Sequence, residues 1–402
     1  MLLFFLTAAL APGGVERALD TVVLADGERL EGYVLYEGPE TLTLRVGSRE
    51  RELPVKSIAE VRSVSRSLGL LLDQYAFVDG NDGRQMLDLA RFSRARKLDG
   101  LAEVFALRAL EINEDDVAAH EFLGHSRRGK SWYVRDGNRS VRYEDLAELC
   151  SDWKSAWQVR TPHYDLRTNT SLREALDAAM DLELFYREFY DRFGKELRLR
   201  EIVTRMPTQI HADGGSFPAL AGDRTAYFDP SGMTTYVNAE RGYVRGLVFH
   251  EASHQLLYAT AVSPELSADA RGCLPAWLDE GLASWFETVQ SGPAGHAVFE
   301  DRRQSAHYMT LHRTTAKPYD LSRVLTFGTD DFHASSRVDL KYAQAYTLVE
   351  FFLRGDFYRH RESFFAVLRG VYAGKCTSAD VRAAMAVDAD DFEAAWNAHV
   401  GR

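Results

Sequence analysis

Cysteine is scarce in this chain of 402 residues, which has only Cys150, Cys273 and Cys376. They are far apart and odd in number, so neither a disulfide framework nor C-x-x-C metal or redox chemistry is expected, and the fold must rest on packing. Long apolar runs are also missing. The most apolar stretch, Met1 to Ala11, falls well short of the ~20 residues a membrane-spanning helix needs. Blocks of Lys and Arg are absent too, and the formal net charge of -11 is spread over short clusters of both signs, so nucleic acid is not an expected partner. There is no G-x-S-x-G elbow, and no motif marks Cys273 as a nucleophile, which removes the serine and cysteine hydrolases from consideration.

The hydrophobic content of 46% supports two or three domains, each with its own core. The apolar opening closes on an Ala9-Leu10-Ala11 triplet that resembles a signal-peptidase site, although no basic residue precedes it and Pro12 follows. Residues 1–18 are accordingly expected to direct export to the periplasm or the medium; if they do not, the protein stays in the cytoplasm.

Residues 19–67 alternate β-rich runs with turn signals: Thr21 to Leu24, Leu30 to Tyr36 and Leu42 to Val46, separated by Ala25-Asp26-Gly27 and Glu37-Gly38-Pro39. Short strands at this spacing predict a small barrel and resemble SH3-like or Sm-like modules. Residues 68–156 change to helical periodicity, with Leu87, Ala90, Leu101, Phe105, Ala106, Ala109 and Leu110 on stripes. Within them, Leu101 to Leu123, interrupted at Asn113 to Asp116, resembles one tetratricopeptide-like helical pair. These two modules are candidate surfaces for a protein partner. A linker is expected near Ser155 to Pro162. Residues 157–402 then read as a strand, His163 to Arg167, a long helix from Leu172 to Phe193, strands near Thr208, Thr225 and Thr234, and helices from Gly242 onward. Sheet first and helices after is an α+β order.

The chemistry lies in Phe249-His250-Glu251-Ala252-Ser253-His254. Two histidines one helical turn apart project from the same face, about 40° apart, so both can reach one ion. Glu251 is rotated about 100° from His250, which suits a carboxylate that takes a proton from a metal-activated water instead of occupying a coordination position. A third ligand is available in Trp277-Leu278-Asp279-Glu280-Gly281-Leu282-Ala283, where Glu280 is an acid set in an apolar helix from about Pro275 to Val289.

Together these two segments resemble the gluzincin metallopeptidases, the superfamily of aminopeptidase-N-like and thermolysin-like enzymes. The resemblance implies that His250, His254 and Glu280 hold Zn2+, that Glu251 is the general base, and that the substrate is a peptide or protein. Tyr342, in Tyr342-Ala343-Gln344-Ala345-Tyr346, matches the helix from which aminopeptidase-like members project a transition-state tyrosine, with Tyr346 and His333 in reserve; the alternative for Tyr342 is a core tyrosine with a satisfied hydroxyl. The sequence departs from the aminopeptidase pattern in a longer gap between the zinc helices, from Ser263 through Cys273, and it has no Gly-x-Met-Glu-Asn strand. The whole arrangement looks closest to an uncharacterised peptidase-like family of multi-module bacterial proteins. The competing reading is a catalytically inactive zinc-binding scaffold.

Two further motifs are set aside. Gly124 to Ser131 fits G-x-x-x-x-G-K-S, but a helix precedes it and a strand-like run comes after it, the reverse of a P-loop. His120 and His125 are five residues apart, about 140° around a helix, and read as ordinary surface or packing residues.

Overall fold

A computed structural model describes residues 15–136, 139–218, 224–261, 274–291, 298–300, 302–334, 336–385 and 388–402. Residues 1–14 of the expected signal segment and the Ser263 to Cys273 stretch lie outside the described residues. The chain is α+β, with an antiparallel sheet, then a mixed sheet, then a mainly helical half. Its contacts divide it into two compact units.

The first unit opens with strands β1 (Asp20–Leu24), β2 (Arg29–Glu37), β3 (Thr41–Val46), β4 (Arg49–Pro54) and β5 (Ile58–Arg62) in the order β4-β3-β2-β1-β5. One face buries Val22, Leu30, Val34, Leu42, Leu44 and Leu53. The expected barrel is corrected here: among the described residues β4 and β5 do not pair, and the sheet stays open. Register shifts at Val23/Leu24 and Val34/Tyr36 bend it over its own core. The two edge strands have little apolar surface left to bury, since β4 contributes only Leu53 as a buried residue and β5 contributes none.

Asp20 ties this sheet to the start of the first helix. Fully buried, it accepts the amides of Val34 and Val64 at 2.8 Å each and both terminal nitrogens of Arg17 at 2.7 and 2.9 Å. Helices α1 (Val64–Tyr75), α2 (Gly83–Arg94), α3 (Asp99–Ile112) and α4 (Val117–Leu123) come next. The break at Asn113 to Asp116 falls where expected, with the Asp116 side chain capping α4 at Ala119 N. However, α3 packs chiefly on α2, because the seven residues of α4 offer too short a face for a helical pair.

A three-stranded sheet, β6 (Ser126–Arg128), β7 (Ser131–Asp136) and β8 (Arg139–Arg142), leads into α5 (Leu146–Ser151). The expected linker is also corrected, because its centre forms β9 (Trp157–Arg160), an edge of the second sheet. That sheet adds β10 (Tyr164–Thr168), β11 (Met206–His211), β12 (Ala226–Asp229) and β13 (Thr234–Asn238), in the order β12-β13-β11-β10-β9. Its three central strands are parallel and both edges antiparallel. Helix α6 (Leu172–Phe189) comes after β10 and starts at a Ser171/Glu174 capping box.

The second unit is mainly helical. It contains α7 (Lys195–Leu197), nearly all of α8 (Arg245–Ala261), α9 (Ala276–Glu287), the short pair β14 (Val289–Ser291) and β15 (Val298–Glu300), α10 (Arg302–Thr314), α11 (Leu321–Val324), α12 (Thr329–His333), α13 (Val338–Tyr358), α14 (Arg361–Tyr372), α15 (Ser378–Met385) and α16 (Ala389–His399). The centre of its core is the crossing of α9 over α13. A Cβ on Gly281 would lie 2.7 Å from the Ala345 carbonyl oxygen and 2.8 Å from Val349, so only glycine allows this approach. Cys376 is disulfide-bonded, a single bridge in a chain where no disulfide framework was expected. Among the described residues no helix is long and apolar enough to cross a membrane.

Two outcomes are expected. Gly281→Ala should lower unfolding stability by roughly 1–3 kcal/mol through overpacking, read from denaturant titration. In the first unit, His163 is fully buried, with Nδ1 2.7 Å from Glu183 and Nε2 3.2 Å from Glu201. Burial opposes its charge, but the two carboxylates prevail and hold its pKa at about 9 against an ordinary 6.5. A raised folded pKa contributes stability that is complete below 6.5 and is lost as pH rises through 9. Denaturation midpoints should therefore fall across that window, and His163→Gln should flatten the decline.

Candidate metal centre

Helix α8 brings His250, Glu251 and His254 into a setting where Val248, Phe249, Ala252 and Leu256 are completely buried. Helix α9 begins at Pro275, whose carbonyl accepts the amides of Leu278 and Asp279, and it buries Trp277, Leu278, Leu282 and Phe286 completely. A carboxylate on this helix has almost no access to water, and Glu280 is only 6% exposed.

Glu280 Oε2 lies 3.4 Å from His250 Nε2 and 3.7 Å from His254 Nε2. Tetrahedral coordination with metal–ligand distances near 2.1 Å places neighbouring donor atoms about 3.4 Å apart, so both edges are close to what a shared ion requires. One donor from each of the three residues lies within 4.8 Å of the others. Glu280 Oε2 is buried and makes no hydrogen bond of normal geometry, so the two imidazoles are left to offset its charge. Two nitrogens and one carboxylate oxygen are a zinc-type donor set. The group can hold a metal ion.

Carboxylates on the far side of each imidazole set its orientation. His254 Nδ1 is 2.6 Å from Asp279 Oδ1, and His250 Nδ1 is 3.4 Å from Glu287 Oε2. An N–H donated there leaves the Nε2 lone pair facing Glu280. Glu287 is held in turn by Tyr308 at 3.0 Å and Gln304 at 3.1 Å. The other Glu280 oxygen, Oε1, meets His333 Nε2 at 2.7 Å, while His333 Nδ1 meets the Thr329 carbonyl at 2.8 Å. Lys341, 3% exposed, donates to the carbonyls of Asp331 and Ala334 and so secures α12, which carries His333.

Negative charge dominates this pocket. Burial works against charge on both ligand histidines, yet Glu280 and Glu287 hold His250 well above the ordinary imidazole range, and Asp279 with Glu280 holds His254 at about 9. Burial likewise opposes ionisation of Glu280, but His254, His250 and His333 outweigh it and keep the carboxyl well below its usual range. Glu251 behaves differently. Here burial prevails over the neighbouring histidines, and its pKa is raised, as suits a proton acceptor. Burial, then the Glu280 and Glu251 carboxylates, push the Tyr342 phenol upward.

The residues singled out in the sequence therefore separate. His250, His254, Glu280 and Glu251 come together, and the Tyr342 ring lies 6.3 Å from those of His250 and His333. Tyr346 does not join them: it is completely buried, and its hydroxyl bonds Ser305 at 2.8 Å. His333 enters as a partner of Glu280. Sequence reasoning alone misses Asp279, Glu287 and Lys341. Glu287 stands seven residues after Glu280, two helical turns on the same face, a signal the sequence did carry. Of the motifs set aside, Gly124 ends α4 in a left-handed conformation, Ser131 starts a strand and not a helix, and His120 Nδ1 contacts His125 Nδ1 at 2.7 Å.

Residues 246–375 match the model of a family described as "Protein of unknown function (DUF1570)". The matched span contains every residue of this centre, and the description assigns it no activity. No curated protein matches the chain.

Replacing Asp279 by Ala removes the partner of His254 Nδ1 and should weaken the binding of a divalent metal ion about 10- to 100-fold. Competition against a zinc-responsive chelator would measure this; an unchanged affinity would remove Asp279 from the centre.

Proposed function

We propose that the protein is a zinc-dependent peptidase of the gluzincin type that hydrolyses peptide bonds. The observation that carries this reading is the combination of a buried Glu280 oxygen facing two imidazoles at ligand-like spacing with a second buried acid, Glu251, that a metal-binding scaffold would not need. His250, His254 and Glu280 would hold the ion. Zinc bound there would supply Lewis acidity toward water and the substrate carbonyl.

Glu251 takes the proton of the attacking water and returns it to the departing amine. Its raised pKa brings it nearer the operating pH, which favours both halves of that transfer. Tyr342, kept protonated by its surroundings, donates a hydrogen bond to the carbonyl oxygen as negative charge develops. Tyr346 is engaged with Ser305 and His333 with Glu280, and the Tyr342 hydroxyl, itself beside Glu280, would turn to the substrate oxygen.

Export of the protein fits the same reading, because a disulfide at Cys376 is stable in oxidising compartments.

Zinc content and cleavage of a mixed peptide library, compared between wild type and Glu251→Gln, test the proposal. Both proteins should bind one zinc per chain, and the variant should lose cleavage at least about 100-fold. Zinc in both with cleavage by neither would favour the inactive scaffold. A folded wild type without zinc would end the assignment.

A further inference from the structure

The first unit contains a cavity of about 520 Å³ whose lining residues all belong to that unit. This is the size range of sites for drug-sized or metabolite-sized molecules. Its wall is closely built. A Cβ on Gly100 would come within 2.0 Å of the Arg160 carbonyl oxygen, so α3 lies directly against β9 and leaves little room for the wall to shift.

The lining has an unbalanced charge. Arg94, Lys97, Arg160 and Arg205 face it against Asp99 and Glu103. Arg205 donates to two neutral carbonyls, Thr161 O at 2.7 Å and Glu16 O at 3.1 Å, neither of which offsets its charge. Arg160 has its acid, Asp165, at 3.8 Å, too far for a hydrogen bond. Arg94 Nε has Asp99 Oδ1 at 3.2 Å, out of line for a hydrogen bond, and Arg160 Nε is likewise buried without one. Burial pushes Glu103 up to about 7, which removes part of the opposing charge at neutral pH. A second set of elements, β7, β8, α5 and β9, supplies Val134, Val141, Leu146, Leu149 and Trp157 as apolar lining.

We propose that this cavity binds a small organic anion: a monocarboxylate carried on an aliphatic or aromatic body, with the carboxylate taken by the arginines and the body by the apolar lining. The surplus cations select the charge, because planar guanidinium donors match a carboxylate in geometry as well as sign. The apolar lining selects the body. An inorganic anion satisfies only half of the site.

Calorimetric titration of the full-length protein with octanoate, octanol and octyltrimethylammonium tests this. Octanoate should bind with one-to-one stoichiometry, octanol at least tenfold more weakly, and the cation not measurably. Ala156→Trp, which fills the cavity from its lining, should abolish octanoate binding and thereby separate it from carboxylate capture at the metal centre. Arg160→Met should weaken octanoate at least tenfold and leave octanol unchanged. Should Arg160→Met fail to fold, Lys97→Met, at an exposed position, should weaken octanoate about threefold or more. Equal binding of octanoate and octanol, no binding by wild type, or full affinity in a folded arginine or lysine variant would each overturn the proposal.

Discussion

The centre of the second unit depends on how one carboxylate is shared. Glu280 sits on an apolar helix where water cannot solvate it, and three imidazoles surround it. His333 engages Oε1 at 2.7 Å, which leaves Oε2 to the longer ion pairs with His250 and His254. A buried anion in that position is costly unless a cation sits beside it. Protons on the histidines meet the need in part, which is why those groups are held so basic. A divalent ion meets it more fully, and it must displace those protons to do so, which couples binding to pH.

Two of the supporting carboxylates come from the helix that carries Glu280. Asp279 precedes Glu280 on α9, and Glu287 stands two turns after it, so one helix presents one ligand and orients both imidazoles. Helix α13 crosses α9 at Gly281 and carries Tyr342 toward the same pocket. Lys341, next in sequence to Tyr342, anchors the segment bearing His333. A shift of α9 would therefore move Glu280 together with the carboxylates that orient the two histidines.

Much of this was legible because helical spacing is a strong signal. His250, Glu251 and His254 had to share a turn, and an acid within Trp277 to Leu282 stands out against its apolar neighbours. Contacts between elements were less legible. Asp279 reads as an ordinary helix acid until α9 is placed against α8. Strand β4, with sequence Arg-Glu-Arg-Glu-Leu-Pro, has no apolar alternation, since almost all of it faces solvent; only pairing with β3 makes it a strand. Strand β9 reads as linker because its four residues are shorter than any periodic pattern can resolve. Strand spacing suggests a barrel, but spacing does not decide whether the edges meet.

Asp20 has a consequence for how the chain can be processed. Its charge is balanced by Arg17, three residues nearer the N-terminus. Glu16 reaches Tyr33 and Arg45, and the Val15 carbonyl accepts the amide of Arg205. Trimming that removed Arg17 would leave a fully buried anion with only two backbone amides, and would take a stitch from between the two sheets. Val15 to Arg17 are therefore bound into the folded body, and any cleavage that leaves this sheet intact has to fall before them.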